Sequence, residues 1–451
     1  MRTYAIALSI ALMMPAAAAA TSWEHVQLPQ EYEDPAVLGI ATQNDTLWIS
    51  SQGRGLIGRF ADQWFAYTTE NSGISKDSWN YRVFLDSGRD LWVSRDNQKA
   101  IDRLDNAGTF ADTTDDRWWN YVYPDQLSAR RVFSIAEAPG GLMWFGIRDE
   151  NHTQGVTVEL FTGESDTVSS DDWHHFDKAL SPDSTGFSHD DVRALAVDDE
   201  SRLWIGYYAT GVDVWDYGNY ATYADDSWMH YTTEDGLPSN LVHTIHVAPD
   251  GLVWVGTLGG LGRYDPVSQD WTVIEGLPGS QARAIDSDAQ GHVWVGTDQG
   301  VAMLYSNGTV AFTFDTDHGL QNDRIDQLAV DRSSGRIWAV SVDDLTQATH
   351  LNVYESGFVL VPGSNEFFAY PNPWIEGRSA EDYVSLFAVP EGSAVEILDI
   401  LGEHVRDLRP TEPYIWDTLD DDFNKAPAGV YLARIQTPEG KQKVLKVAIV
   451  R

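Results

Sequence analysis

Apolar and polar residues alternate along most of the chain in runs of four to six, each bounded by Gly, Pro, Asn or Asp. That is the period of short strands joined by tight turns. One apolar pattern recurs: an aliphatic residue, Trp, an aliphatic or aromatic residue, then a small one. It stands at Leu47-Trp48-Ile49-Ser50, Leu91-Trp92-Val93-Ser94, Met143-Trp144-Phe145-Gly146 and Leu203-Trp204-Ile205-Gly206. It returns at Val253-Trp254-Val255-Gly256 and Val293-Trp294-Val295-Gly296, and in degenerate form at Ile337-Trp338-Ala339-Val340. The Trp residues are 44, 52, 60, 50, 40 and 44 positions apart. Repeats of this length predict a propeller or a solenoid.

The clearest unit, residues 241–278, reads as four strands: VHTIHV, LVWVGT, LGRYD and DWTVIE. A lone four-stranded sheet leaves both faces wet, whereas seven such sheets packed in a ring bury them. The pattern therefore predicts an all-β chain, with a seven-bladed β-propeller over residues 21–362. The repeated Trp fills the space between blades, and its indole N–H then needs a partner. Two segments compete to close the ring: an N-terminal strand at Trp23–Gln27, and Gly357–Val361.

After Pro362 the repeat stops. Residues 363–451 carry six or seven short apolar runs, among them Tyr383–Val389, Ala394–Ile400, Gly429–Ile435 and Val444–Val450. This density suits a small Ig-like β-sandwich. At the other end, Met1-Arg2, the apolar run Ala5–Met14 and Ala18-Ala19-Ala20 fit a signal peptide over residues 1–20, cut near Ala20. The expected location is therefore secreted or at the cell surface, with the periplasm as an alternative.

Composition narrows the function classes. Lys and Arg total 30 against 68 Asp and Glu, a net charge of −38. This excludes a nucleic-acid binder, which needs surplus cations, and weighs against anionic membranes. Such an acidic shell stays hydrated when salt screens charge, as in proteins of salt-loving organisms; a generic acidic secreted protein reads the same way. The chain has no Cys, which removes disulfides, thiolate metal sites and a Cys nucleophile. No segment after the leader is apolar enough to span a bilayer.

Candidate chemistry is sparse. G-x-S-x-G, H-E-x-x-H and P-loop motifs are missing. His174-His175 align with a fourth strand. Asp198-Asp199, Asp286-Ser287-Asp288 and Asp331 fall at first hairpins, where they would cap turns. Asp315-Thr316-Asp317 reads as an interblade loop and Asp420-Asp421-Asp422 as a solvated turn. No catalytic residue, metal or cofactor is expected. One set stands apart: eleven residues before the motif Trp, where inner strands start, are Tyr81, Arg193, His243 and Arg283. Asp326 takes the equivalent place after one inserted residue. These five are the candidate ligand-binding residues, ringing the mouth of the central channel, where cationic heads suit a carboxylate or a sugar.

The tract Gly236-Leu237-Pro238-Ser239-Asn240 through Leu261-Gly262-Arg263-Tyr264-Asp265 resembles the two-component regulator propeller repeat. The resemblance covers about residues 23–361, most closely around Trp254 and Trp294. It implies a propeller and, in its family, periplasmic sensing of sugar-derived ligands ahead of a membrane helix and a kinase, neither of which this sequence shows. In the last 85 residues YPNP, LDILG and AGVYLARI are similar both to the FlgD-like Ig-fold module and to the type IX secretion sorting domain. The expected partners are a glycan or small anion and, through residues 363–451, secretion or surface machinery. The expected function is binding without catalysis. The rival is a propeller-based polysaccharide lyase or glycoside hydrolase, which a cluster of Tyr, His and carboxylate at the mouth would favour.

Overall fold

The computed structural model describes residues 22–32, 36–60, 63–75, 77, 80–95, 100–106, 113–122, 130–149, 156–162, 173–177, 186–189, 191–218, 226–356, 368–370, 374–375, 383–387, 392–400, 402–408, 414–421, 424–438, 440 and 442–451. The expected signal peptide and the alternative closing segment at Gly357–Val361 lie outside them. The described elements are strands and short 3-10 turns, and the chain falls into two compact units.

Residues 22–356 contain seven four-stranded sheets. Their first strands are Val37–Gln43, Asn80–Leu85, Arg130–Ala138, Val192–Val197, Val242–Val247, Ala282–Ser287 and Arg324–Asp331. Each of these lies beside its counterparts in the sheets before and after, and the seventh lies beside the first, so the inner strands form a closed ring. The N-terminal strand Glu24–Val26 completes the seventh sheet by pairing with Thr349–Glu355, with Glu24 opposite Val353 and Val26 opposite Leu351. Closure therefore falls to the N-terminal candidate, which removes a free edge from the last sheet.

The recurring motif sits on the second strand of each sheet, for example Leu203–Tyr207 and Val253–Thr257, and those strands are buried throughout. Trp92, Trp144, Trp204, Trp254 and Trp294 are fully buried. Trp204 packs with Val242, Ile245 and Tyr264 of the following sheet. At about 25 cal/mol per Å², burying an indole of roughly 200 Å² is worth about 5 kcal/mol. The small residue of the motif has a separate cause. A Cβ on Gly206 would stand 2.5 Å from Val242 Cγ1, and one on Gly296 would stand 2.6 Å from Ile325 Cγ2. The next inner strand passes too close for a side chain.

The indole N–H groups are met at the first hairpin. Trp92, Trp204 and Trp294 donate from Nε1 to Asp86, Asp198 and Asp288, at 2.8, 2.8 and 3.0 Å. Each Asp stands six residues before its Trp. The same carboxylates cap the hairpins: Asp198 accepts from the amides of Glu200 and Arg202, and Asp288 from those of Gln290 and His292. These acids are turn caps, as the sequence leads one to expect. Asp315 likewise accepts from the Asp317 amide and opens a single 3-10 turn that Gly319 ends at φ 97°.

The second unit holds a three-stranded and a five-stranded sheet. The three-stranded sheet joins Phe368–Tyr370, Val384–Phe387 and Tyr414–Trp416. The larger one is built on Gly429–Gln436, flanked by Ala394–Asp399 and Gln442–Val450. Val384, Leu386, Tyr414 and Trp416 of one sheet share a core with Val395, Ile397, Ile435 and Val447 of the other.

Candidate functional site

Every one of the seven inner strands carries an irregularity at its start. In sheet four Val192 and Ala194 pair with the consecutive residues Tyr207 and Gly206, which leaves Arg193 as an extra residue. The same bulge isolates Leu38, Tyr81, Phe133, His243, Arg283 and Asp326 in the other six sheets. A bulge takes one residue out of the ladder and re-aims its side chain. In six of the seven sheets that residue (Leu38, Phe133, Arg193, His243, Arg283 and Asp326) lines a common space. The five candidate ligand-binding positions are all bulge residues.

That space is a cavity of about 310 Å³. Arg193, His243, Arg283 and Asp326 line it together, with Arg82, Leu38 and Phe133. A second cavity of about 130 Å³ continues between the same inner strands, past Ser134, Ala194, Thr244 and Ala284. In sheet two Tyr81 holds the bulge position on the backbone, and the lining side chain described there is that of its neighbour, Arg82.

The side chains differ in how they are held. Arg82 donates from Nε to the carbonyl of Phe133 at 2.7 Å and from Nη1 to that of Leu38 at 3.1 Å, so it ties together the bulges on either side. The Arg193 guanidinium lies between two rings, 5.2 Å from the centre of Phe133 and 4.5 Å from that of Tyr208, and pairs with Asp191 at 3.3 Å. Arg283 donates from Nε to Asp326 at 2.6 Å and from Nη1 to Gln281 at 2.9 Å. Asp326 also receives Arg324, at 3.0 and 2.8 Å. Burial pushes the Asp326 carboxyl up, but Arg324 and Arg283 outweigh it and hold the group below the usual carboxylate range.

His243 stands between Arg193 and Arg283 in the order of sheets. Among the described residues it makes no hydrogen bond, and its Nε2 is buried. Burial, reinforced by Arg283 and Arg193, lowers its pKa to about 4, against a small opposing pull from Asp326. The ring is therefore neutral at pH 7. The mouth thus offers fixed guanidinium groups and one uncharged imidazole inside a strongly acidic protein.

Sequence reasoning located Arg193, His243, Arg283 and Asp326 by their distance from the motif Trp. It missed Arg82, which lies one residue past the bulge, and the apolar members Leu38 and Phe133. The segment of His174-His175 is an outer strand, Trp173–Asp177, paired with Val156–Phe161. Asp420 caps a turn through the Asn424 amide, while Asp422 lies outside the described residues. In the second unit, ligand atoms of Glu396, His404 and Asp407 come within 4.8 Å of one another, but Arg434 already pairs with Glu396.

Residues 236–259 match the model of the Two component regulator propeller family. A search of curated proteins finds no match. Among solved structures the chain is similar to PorZ, titled an essential bacterial surface component of the type-IX secretion system of Porphyromonas gingivalis, with TM-score 0.55 and 17% identity over 94% of this chain and 61% of that one. It is similar to the extracellular domain of BT3049 from B. thetaiotaomicron, assigned as a hybrid two component system, with TM-score 0.58 and 16% identity over 96% of this chain and 58% of that one. It is also similar to a catalytically inactive virginiamycin B lyase from Staphylococcus aureus with quinupristin, with TM-score 0.52 and 15% identity over 74% of this chain and 99% of that one. The chain spans less than two thirds of the length of the first two. At these identities the likeness shows the β-propeller fold. No helix among the described residues is long and apolar enough to cross a membrane.

Proposed function

We propose that this chain is an exported, non-catalytic, seven-bladed propeller that binds an anionic or polyhydroxylated ligand, a glycan or small anion, at its mouth. Residues 363–451 form an Ig-like module that addresses or anchors it through secretion or surface machinery. One observation carries the reading: bulges in four successive sheets aim Arg193, His243, Arg283 and Asp326 at one cavity, with Arg82 beside them. Charge-assisted bonds from guanidinium groups suit carboxylate, sulfate or sugar hydroxyl oxygens. The surface role and the link to type IX secretion draw support from the likeness to PorZ, and the extracellular setting from that to BT3049.

The mouth does contain a His and a carboxylate, two of the three residue types in the Tyr, His and carboxylate cluster that would favour a lyase or hydrolase. A general base, however, works best with a pKa near the operating pH and a partner that orients it. His243 has been pushed down to about 4, and no hydrogen bond fixes its ring. Asp326 is committed to two arginines. These features support binding over chemistry.

The test is calorimetry of the purified full chain against sulfate, citrate, glucuronate and neutral sugars, followed by a glycan array. Arg193→Ala and Arg283→Ala should each weaken binding of the responding ligand per folded molecule by about 1.5–3 kcal/mol, the worth of one charge-assisted bond, and each should also cost some stability, because Asp191 and Asp326 lose an arginine partner. Variants that lose stability yet bind normally per folded molecule would move the site elsewhere.

A further inference from the structure

Among the side chains described at the mouth, His243 combines a buried ring nitrogen that has no partner among the described residues with a ring that can gain a proton as pH falls. Its strand, Val242–Val247, lies between the inner strands of sheets four and six. The charged groups around it are Arg193 and Asp191 from sheet four, Arg283 from sheet six, Asp326 with Arg324 from sheet seven, and Arg82 from sheet two. Asp191 and Asp326 are each paired with an arginine. What the ring meets is therefore a surplus of positive charge in a confined space. Two things oppose its protonation there, burial and the neighbouring guanidinium groups. A bound anion would reverse the second and supply an acceptor for Nε2.

We propose that the mouth takes up a proton together with its anion: the anion accepts a hydrogen bond from His243 Nε2, and the ring's other nitrogen is protonated from solvent in the same event. The proton comes from water or buffer and stays on the imidazole; no covalent bond to carbon forms or breaks. This rests on the reading of the mouth as an anion site and adds its regulation, since affinity then rises as pH falls. Electrostatics makes the sign unambiguous, because a nearby negative charge favours the charged form of a histidine. By linkage, a rise of about two units in the pKa of His243 makes binding about tenfold tighter at pH 5 than at pH 7.

Sulfate is the probe, because it does not titrate in this range. Calorimetry of the full chain in buffers of differing ionisation heat counts protons taken up per sulfate, and histidine NMR follows the ring directly. The expected result is net proton uptake near pH 5, with the His243 resonance titrating higher by at least about one unit when sulfate is present. His243→Gln supports the assignment if it flattens the pH dependence of sulfate binding. Should that variant fold poorly, the two measurements on the unaltered chain decide alone. Sulfate that binds, and is weakened by Arg283→Ala, but carries no proton overturns this inference and leaves the anion site standing. Sulfate that does not bind overturns it too, and the anion site falls with it only if the carboxylates and sugars also fail.

Discussion

The two ends of the inner strands teach different lessons. At the hairpin end, sheets two, four and six repeat one arrangement: Asp86, Asp198 and Asp288 cap the turn and accept the indole N–H of the Trp six residues later. At the bulge end the backbone repeats in all seven sheets, yet the residue does not: it is Leu38, Tyr81, Phe133, Arg193, His243, Arg283 and Asp326 in turn. Where a repeated backbone keeps its side chain, the side chain serves the repeat. Where it varies the side chain, the backbone has become a mount, and function can differ from sheet to sheet.

The sharpest way to break this contrast is to cut one hairpin lock. Asp288 is fully buried and accepts from the amides of Gln290 and His292, from His292 Nδ1 and from Trp294 Nε1. Asp288→Ala leaves a buried indole and a buried imidazole without their acceptor. The expected loss is about 3–5 kcal/mol in chemical denaturation, with binding per folded molecule unaltered. A loss of binding at unchanged stability would erase the distinction between the two ends.

A smaller effect comes from the bulge end, through pH. His243 is held well below its ordinary value of 6.5, at about 4. The unfolded chain therefore takes up a proton near pH 6.5 that the folded mouth refuses until about pH 4. Stability is complete above that window and falls as pH drops through it. Allowing for the ring's partial exposure, the loss is on the order of 1–2 kcal/mol. The difference in melting temperature between the unaltered chain and His243→Gln, followed from pH 7 to about pH 4, measures it. A constant difference would mean that His243 titrates normally.

How much of this was legible depends on what carried the signal. Trp48 to Trp338 announced the ring because an indole between sheets is needed once per repeat. Closure was half legible: Trp23–Gln27 resembled a fourth strand, but nothing local chose it over Gly357–Val361, since the pairing spans the whole chain. Counting back from the motif Trp reached Arg193, His243 and Arg283, for the spacing of bulge to Trp is fixed by one strand and one turn. It slipped for Leu38, ten residues before its Trp, and passed over Phe133, whose apolar side chain gave no sign of lining a mouth. Arg82 was invisible for another reason: its partners are the carbonyls of Leu38 and Phe133, and backbone atoms leave no trace in sequence. The bulge itself, one unpaired residue, has no residue code.

The smallest change sharpens the comparison by adding a lock where one is missing. In sheet five the place of the capping Asp is taken by Ala248, and the indole N–H of Trp254 is buried with no partner among the described residues. The hairpin is otherwise the same. Ala248 N donates to Leu252 O and Gly251 N to Ala248 O, as Asp288 N does to His292 O and Gly291 N to Asp288 O. Gly251 and Gly291 both take positive φ, 80° and 84°, at the turn. An Asp at position 248 would find its acceptor geometry already built. Against it stand Asp250, whose carboxyl burial already pushes up, and the neighbouring Asp199. A hydrogen bond to a buried indole is worth about 1–2 kcal/mol, and the added like charge takes back part of it. Ala248→Asp should therefore stabilise the chain by about 0.5–1 kcal/mol, with the gain increasing in higher salt as repulsion is screened. Ala248→Asn offers the same acceptor without the charge, and its gain should not depend on salt. A destabilised Asn variant would mean that the Trp254 pocket, unlike those of Trp204 and Trp294, has no room for the lock.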